Sequence, residues 1–351
     1  MELSAYTRSL LADIERRIDP ETEEDFVKQW ESFWKGNVDD IIFTPKRKKI
    51  SEPGVALQRI YLNEAIDDLE LMLDTQLAGV SRALQGRSQA LSMRANYGTG
   101  IMTSLFGAPL FMMEREKDTL PTTHSLNDTD AVRAIVEAGM PPLTAGLGQR
   151  VFDFGEMCRE VLRDYPKLAR YVTVYHPDTQ GPLDIAELLW GGDMFYEMYD
   201  DPDFVQRLMR LITDTYCAFM DKWFQLYPIR SGMNVHWGFW HRGTICLRND
   251  SAINLSPEQY REFALPYDTE LLDYYGGGIL HYCGKGDHFV GELAAHPLLY
   301  GINLSQPHLN DMDKVFSAAF SNDCRILDLT REACAAYAAR PDAVKGMVFC
   351  Y

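Results

Sequence analysis

Gly276-Gly277-Gly278-Ile279-Leu280-His281-Tyr282-Cys283-Gly284-Lys285-Gly286-Asp287-His288 is the stretch on which the reading of this chain turns. The apolar run after three glycines has the form of a buried strand. His281 and Cys283 close it, and a glycine-broken loop follows. Side chains two apart on a strand point to the same face, so an imidazole and a thiol stand side by side. Neutral imidazole and thiolate are donors that zinc prefers, and a catalytic zinc keeps three protein ligands and one open position. A His-x-Cys alone is also compatible with packing, because both residue types fill cores. A third donor at the end of another strand is therefore required. Gly346-Met347-Val348-Phe349-Cys350-Tyr351 supplies Cys350 in that position. The other cysteines fit less well. Cys158, Cys217 and Cys334 fall in helix-patterned segments, Cys324 precedes a strand, and Cys246 lies between Ile245 and Leu247.

Working outward from this strand, short apolar runs alternate with capped helices. The runs are Ala90 to Tyr97, Tyr171 to Tyr175, Asn234 to Trp240, Ile279 to Cys283, Tyr300 to Leu304, Arg325 to Leu329 and Met347 to Cys350. A polar loop is expected from His241 to Ser251. Helix starts are explicit at Asp201-Pro202, at the capping box Ser256-Pro257-Glu258-Gln259, and at Asn310 and Thr330. Alternating units of this length predict an α/β fold with a parallel sheet, and seven or more of them favour a closed (β/α)8 TIM-type barrel. Residues 1–86 carry apolar residues at helical spacing: Phe26, Val27, Trp30, Phe33 and Trp34, then Leu57, Ile60, Tyr61, Ala65, Leu69 and Met72. They predict an N-terminal helical extension without strands, packed on a barrel of residues 87–351.

Composition narrows the function. The chain has 351 residues and 46% hydrophobic content, enough for a large core. Its 34 Lys plus Arg against 51 Asp plus Glu give a net charge of −17, which argues against a nucleic-acid or anionic-membrane surface. Lys46-Arg47-Lys48-Lys49 is the one basic run and reads as a solvated loop. The seven cysteines without tight spacing suit reduced thiols, and no stretch approaches ~18 apolar residues. A cytoplasmic protein is expected.

Gln180-Gly181-Pro182-Leu183-Asp184-Ile185-Ala186, then Asp200-Asp201-Pro202, then Leu255-Ser256-Pro257-Glu258-Gln259-Tyr260-Arg261-Glu262-Phe263 with Pro266-Tyr267, and finally His281-Tyr282-Cys283-Gly284 resemble, in order and spacing, the uroporphyrinogen decarboxylase superfamily. The resemblance implies a (β/α)8-type barrel and one of two chemistries. One is cofactor-free decarboxylation of a porphyrinogen or other carboxylate. The other is zinc-dependent methyl transfer, as in the methylcobamide:thiol methyltransferases, which work with a corrinoid protein. The decarboxylases' Arg-Gln-Ala-Gly-Arg segment has no counterpart here, Arg16-Arg17 and Arg94 lacking that context, whereas His281, Cys283 and Cys350 match the methyltransferase ligands. The resemblance thus implies Zn2+, a corrinoid on a partner protein, and a small methyl donor or acceptor. A non-catalytic ligand-binding barrel with a four-ligand structural zinc is the rival of a different class.

Other residues at strand ends complete the expectation. Asp250 is a candidate to orient a zinc ligand or bind substrate, an ion pair with Arg248 being the alternative. His308, after Tyr300 to Leu304, is a second catalytic candidate. Tyr97, Trp240, Arg248 and Gln306 are candidates to line the substrate site.

Overall fold

Short apolar strands separated by capped helices fold here into a mostly parallel α/β architecture. A computed structural model describes residues 2–229 and 231–351. Its strands are β1 (Ile42–Phe43), β2 (Ser92–Arg94), β3 (Leu110–Phe111), β4 (Thr122–Thr123), β5 (Thr173–Tyr175), β6 (Met233–His236), β7 (Phe239–Arg242), β8 (Ile245–Arg248), β9 (Gly278–Tyr282), β10 (Leu299–Leu304), β11 (Arg325–Leu327) and β12 (Val348–Phe349). Six of them form one parallel sheet in the order β1-β12-β11-β10-β9-β8. β2 and β5 form a separate parallel pair, while β3–β4 and β6–β7 are antiparallel hairpins. Parallel neighbours need crossovers, and helices supply them: Pro257–Phe263 with Leu265–Tyr275, then Val290–Ala294, Met312–Phe320 and Arg331–Ala338.

The register positions the site. Arg248 pairs with His281, and His281 with Asn303. Register partners in parallel strands share a face, so three polar side chains stand in one row across β8, β9 and β10. One layer toward the strand starts, Cys246 pairs with Ile279. Ile279 and Cys246 belong to a buried cluster with Phe26, Trp30, Phe33, Phe43, Phe239, Leu327 and Phe349. The polar row therefore rests on an apolar, largely aromatic floor.

The N-terminal segment builds part of that floor. Helix Pro20–Trp34 starts at Asp19, whose side chain accepts from Thr22 N, and Pro20 holds its first position. Trp30 meets Phe349 edge-on at 4.6 Å, and Phe33 stacks on Phe43 at 4.5 Å. The front is not free of strands: β1 pairs with β12, so residues 42–43 join the sheet. Helix is likewise absent from Leu57 to Ile60, where Pro53 and Gly54 interrupt the pattern, and resumes at Leu62–Ala65 and Leu69–Gln85.

Four further expectations change. Asn234 to Trp240 is not one strand. Trp237 (φ 43°) and Gly238 (φ 83°) turn the chain back into the β6–β7 hairpin, because consecutive positive φ values make a turn whose twist suits hairpins. The loop expected from His241 to Ser251 contains β8. Arg47 is buried, not solvated: its guanidinium binds both Glu23 carboxylate oxygens at 2.6 and 2.9 Å and the carbonyls of Ala83, Gly86 and Gln89. The helix expected from Asn310 is capped instead by Asp311, which accepts from Asp313 N and Lys314 N. Among the described residues, no helix is long and apolar enough to cross a membrane.

Candidate metal centre

His281 lies near the end of β9 with its two ring nitrogens facing different partners. Nδ1 is 2.6 Å from Asn303 Oδ1. The Asn303 amide cannot be reversed, because its Nδ2 donates to the Leu327 carbonyl at 2.8 Å. Oδ1 therefore accepts from an Nδ1–H, and Nε2 keeps its lone pair. A hydrogen-bond acceptor on one nitrogen is the arrangement that presents the other to a metal. Burial lowers the His281 pKa, which favours the neutral ring.

Nε2 faces two further donors. Cys283 Sγ is 3.5 Å away and Asp250 Oδ1 3.8 Å away. One atom from each of Asp250, His281 and Cys283 lies within 4.8 Å of the others, the one such group found among the described residues. A tetrahedral zinc with bonds near ~2.05 Å to nitrogen and ~2.3 Å to sulfur separates those two atoms by about 3.6 Å. The observed spacing fits that requirement. Burial raises the Cys283 thiol pKa, and the thiol donates to Ser305 Oγ at 3.4 Å.

The loops that carry these donors are held by backbone contacts. Asp250 Oδ1 accepts from Cys283 N at 2.6 Å. Asp250 N and Ser251 N donate in turn to Asp184, at 3.0 and 2.7 Å. Asp184 sits in the first turn of helix Pro182–Trp190, fully buried. Burial, with the nearby Asp250 charge, raises its pKa to about 7. Gly181 touches the same segment: a Cβ there would stand 2.1 Å from the Arg248 carbonyl oxygen. Gln306 Oε1 accepts from Gly284 N, fixing the turn beyond Cys283.

Behind the row of candidate donors lies a buried polar network. Arg248 and Arg94 approach Asp178 at 2.8 and 3.3 Å, and Arg248 Nη2 meets His236 Nε2 at 2.7 Å. Burial would raise the Asp178 carboxyl, but Arg248 and Arg94 hold it below its ordinary value. Burial lowers His176 to about 3 and His236 well below its usual range, so both rings are neutral. The Arg248 guanidinium lies 4.9 Å from the Trp237 ring, which meets His281 at 4.7 Å.

The structure brings together only part of the predicted set. His281, Cys283 and Asp250 converge, and Gln306 and Arg248 stand next to them. Arg248 pairs with Asp178 and not with Asp250. Cys350 is outside the group. Its thiol lies against Cys334 and 3.5 Å from the Tyr351 carbonyl, and it borders a cavity that also reaches Asn303 and Ser305. His308 is exposed on the turn Pro307–Leu309 and faces a groove with Met312 and Phe316. Tyr97 is wholly buried and packs edge-on against Phe154 at 6.4 Å, so it belongs to the core. Trp240 sits at the opposite end of the strands, beside Phe26, Leu91 and Met233, because the Trp237-Gly238 turn reverses its strand. Asn303 and Asp184 were not anticipated as site residues, whereas Asp178 was expected at a strand end on the same rim. Asn303 had a visible signal, a lone amide inside the apolar run Gly301-Ile302-Asn303-Leu304.

A methyltransferase from Methanosarcina mazei has a similar structure, with a TM-score of 0.61 and 14% identity over 92% of this chain and 91% of that one. At this identity the likeness is one of fold. No protein-family profile matches the sequence, and no curated protein does.

Proposed function

We propose that this chain is a zinc-dependent methyltransferase of a corrinoid-linked system, moving a methyl group between a small molecule or thiol and a corrinoid protein. The observation that carries this reading is the fixed tautomer of His281 beside Cys283 and Asp250. A donor set of imidazole, thiol and carboxylate at tetrahedral spacing suits zinc with one position open. His281 and Cys283 would hold the metal, with Asp250 as the third donor in this arrangement and Cys350 as the donor that would replace it from the adjoining cavity. A zinc ion bound there would lower the pKa of a thiol or polarise a methyl donor at neutral pH. Asn303 orients the His281 ring, Ser305 donates a hydrogen bond to the Cys283 sulfur once it is a thiolate, and Asp250 and Gln306 hold the Cys283–Gly284 backbone. Trp237 covers the ring of His281 and limits the approach of water. We place these parts on a (β/α)8-type barrel in which the six-stranded sheet and the β2–β5 pair are arcs of one closed sheet. The fold shared with a protein named methyltransferase supports the reading.

Decarboxylation of a polycarboxylate fits the site less well, since Arg94 and Arg248 are already engaged by Asp178. The test is zinc content together with methyl transfer from methylcobalamin to a small thiol. His281→Ala and Cys283→Ala should each abolish both. Comparing Asp250→Ala with Cys350→Ala identifies the third donor by which of them lowers zinc stoichiometry. A metal-free protein that keeps full activity would refute the proposal.

A further inference from the structure

The cavity beside the candidate metal donors contains a carboxylate, that of Asp328, with no hydrogen-bond or ion-pair partner among the described residues. It has a volume of about 370 Å³ and is bordered by Asn303, Ser305, Asp328, Arg331, Cys350 and Tyr351. Asn303 holds the His281 ring and Ser305 touches the Cys283 sulfur, so two residues of the cavity wall also contact the candidate metal donors. Asp328 follows β11 with φ 53°, a left-handed conformation that Asn and Asp tolerate best among residues with a side chain. Its side chain is half-buried. Burial alone raises its carboxyl to about 6, with no hydrogen bond or neighbouring charge contributing. Asp328 is therefore ionised at neutral pH, and no ion pair joins it to the exposed Arg331 on the rim.

A partly desolvated carboxylate with no donor is costly until a ligand completes it. The same cavity has an aromatic lining residue, Tyr351. Tyr351 is fixed there by its hydroxyl, which donates to the Trp237 carbonyl at 3.1 Å, and by edge-on contact with Phe349 at 4.9 Å. An anion and an aromatic ring around one small cavity form a receptor for an organic cation.

We propose that this cavity is a subsite for a small methylated cation, an ammonium or sulfonium, whose charged centre sits between Asp328 and the Tyr351 ring. As the methylated substrate it deepens the methyl-transfer reading and rests on it; as a binding site it does not. Transfer of one methyl to the nucleophilic reduced corrinoid would break a C–N or C–S bond and form a C–Co bond. The electron pair of the broken bond stays on nitrogen or sulfur, so the product is neutral as formed. A sulfonium would leave as a neutral thioether that Asp328 no longer attracts, whereas an amine product would take up a proton from water and keep its positive charge.

The experiment is calorimetric titration of the 351-residue chain, zinc-loaded and chelator-stripped, with choline and with its neutral isostere 3,3-dimethylbutan-1-ol. Choline should bind at least tenfold more tightly. Asp328→Asn should remove that advantage while leaving the isostere's affinity unchanged, and asparagine suits the backbone at φ 53°, so the variant should melt as the parent does. Binding should survive removal of zinc, so a failed zinc assignment leaves this result intact. Equal affinities for the two probes, no binding of choline at millimolar concentration, full choline affinity in Asp328→Asn, or preferential binding of acetate through Arg331 would each overturn the proposal.

Discussion

Replacing Asn303 by leucine tests the metal centre where its geometry is most specific. The substitution keeps the branched heavy-atom skeleton of the side chain and deletes two hydrogen bonds, the one accepted from His281 Nδ1–H at 2.6 Å and the one donated to the Leu327 carbonyl at 2.8 Å. A neutral buried bond contributes ~0.5–1.5 kcal/mol net, and an orphaned partner costs ~1–3 kcal/mol. The Leu327 half of this loss falls on stability with or without metal. The His281 half falls on binding, because the ring is no longer held with its Nε2 lone pair toward Cys283. Loss of such an outer partner lowers metal affinity by ~10–100-fold, or about 1.4–2.8 kcal/mol. That range agrees with the cost of one orphaned donor. The assay is competition for Zn2+ against a chromophoric chelator under conditions where both proteins are fully folded, with Co2+ absorption as the measure of coordination geometry. Zinc affinity within twofold of the parent, combined with the expected loss of stability, would show that His281 does not bind metal through Nε2.

Three other outcomes follow from the structure. Arg47→Ala should cost about 3–5 kcal/mol in urea unfolding, because it leaves the buried Glu23 carboxylate and three carbonyls without their partner; a loss below ~1 kcal/mol, the value of an exposed pair, would contradict its burial. Asp268 is buried beside Asn249 and the Tyr260 hydroxyl, and burial raises its pKa to about 8. The folded state therefore holds a proton that the unfolded chain releases near ~4, so the stability it contributes is complete below that pH and is lost as pH rises through about 8. Asp268→Asn should flatten the fall of stability between those limits by up to ~1.4 kcal/mol per pH unit, and an unchanged slope in equilibrium unfolding would refute the assignment. Gly181→Ala should destabilise by about 1–3 kcal/mol through contact with the Arg248 carbonyl; a thermal midpoint equal to that of the parent would show that the segment yields freely.

The legible part of this protein was whatever a period of two or a cap could fix. His281 and Cys283 were readable as neighbours because strand periodicity alone sets their faces. The capping box at Ser256 and Gln259 forms as written. What was not readable depends on pairing between distant segments. Nothing in the sequence sets the register of β9 against β10, so the His281–Asn303 bond could not be anticipated from either strand. Arg47 looked solvated in its basic run, and only Glu23 and the carbonyls around it make its burial tolerable. Trp240 was misplaced for a local reason. Tryptophan seldom adopts positive φ, so Trp237-Gly238 gave little sign of a hairpin turn, and the reversal sent Trp240 to the other end of the strands.

The way the donors are mounted explains how such a site can be held without metal. His281 belongs to the ladder itself, with β8 and β10 on either side. Cys283 and Asp250 lie just past strand ends, where a ladder no longer constrains them, and each depends on a different clamp. Asp250 fixes Cys283 through the Cys283 N–H, Asp184 fixes Asp250 through two backbone N–H groups, and Gly181 lets helix Pro182–Trp190 approach close enough for Asp184 to reach them. This chain runs from a helix start to the metal loop in three contacts and does not pass through any exposed side chain except Asp250. A ligand held at the end of such a chain loses little conformational freedom when a metal arrives, and preorganisation of that kind raises affinity by reducing the cost of ordering. The side chain of Cys350 is held differently: its backbone N–H is tied to the Phe43 carbonyl at 3.1 Å, while its thiol meets Cys334 and the Tyr351 carbonyl. If the proposed zinc site is correct, the backbone clamp on Asp250 makes the carboxylate the third donor that needs the least rearrangement, and Cys350 would have to turn its thiol from Cys334 to take that place.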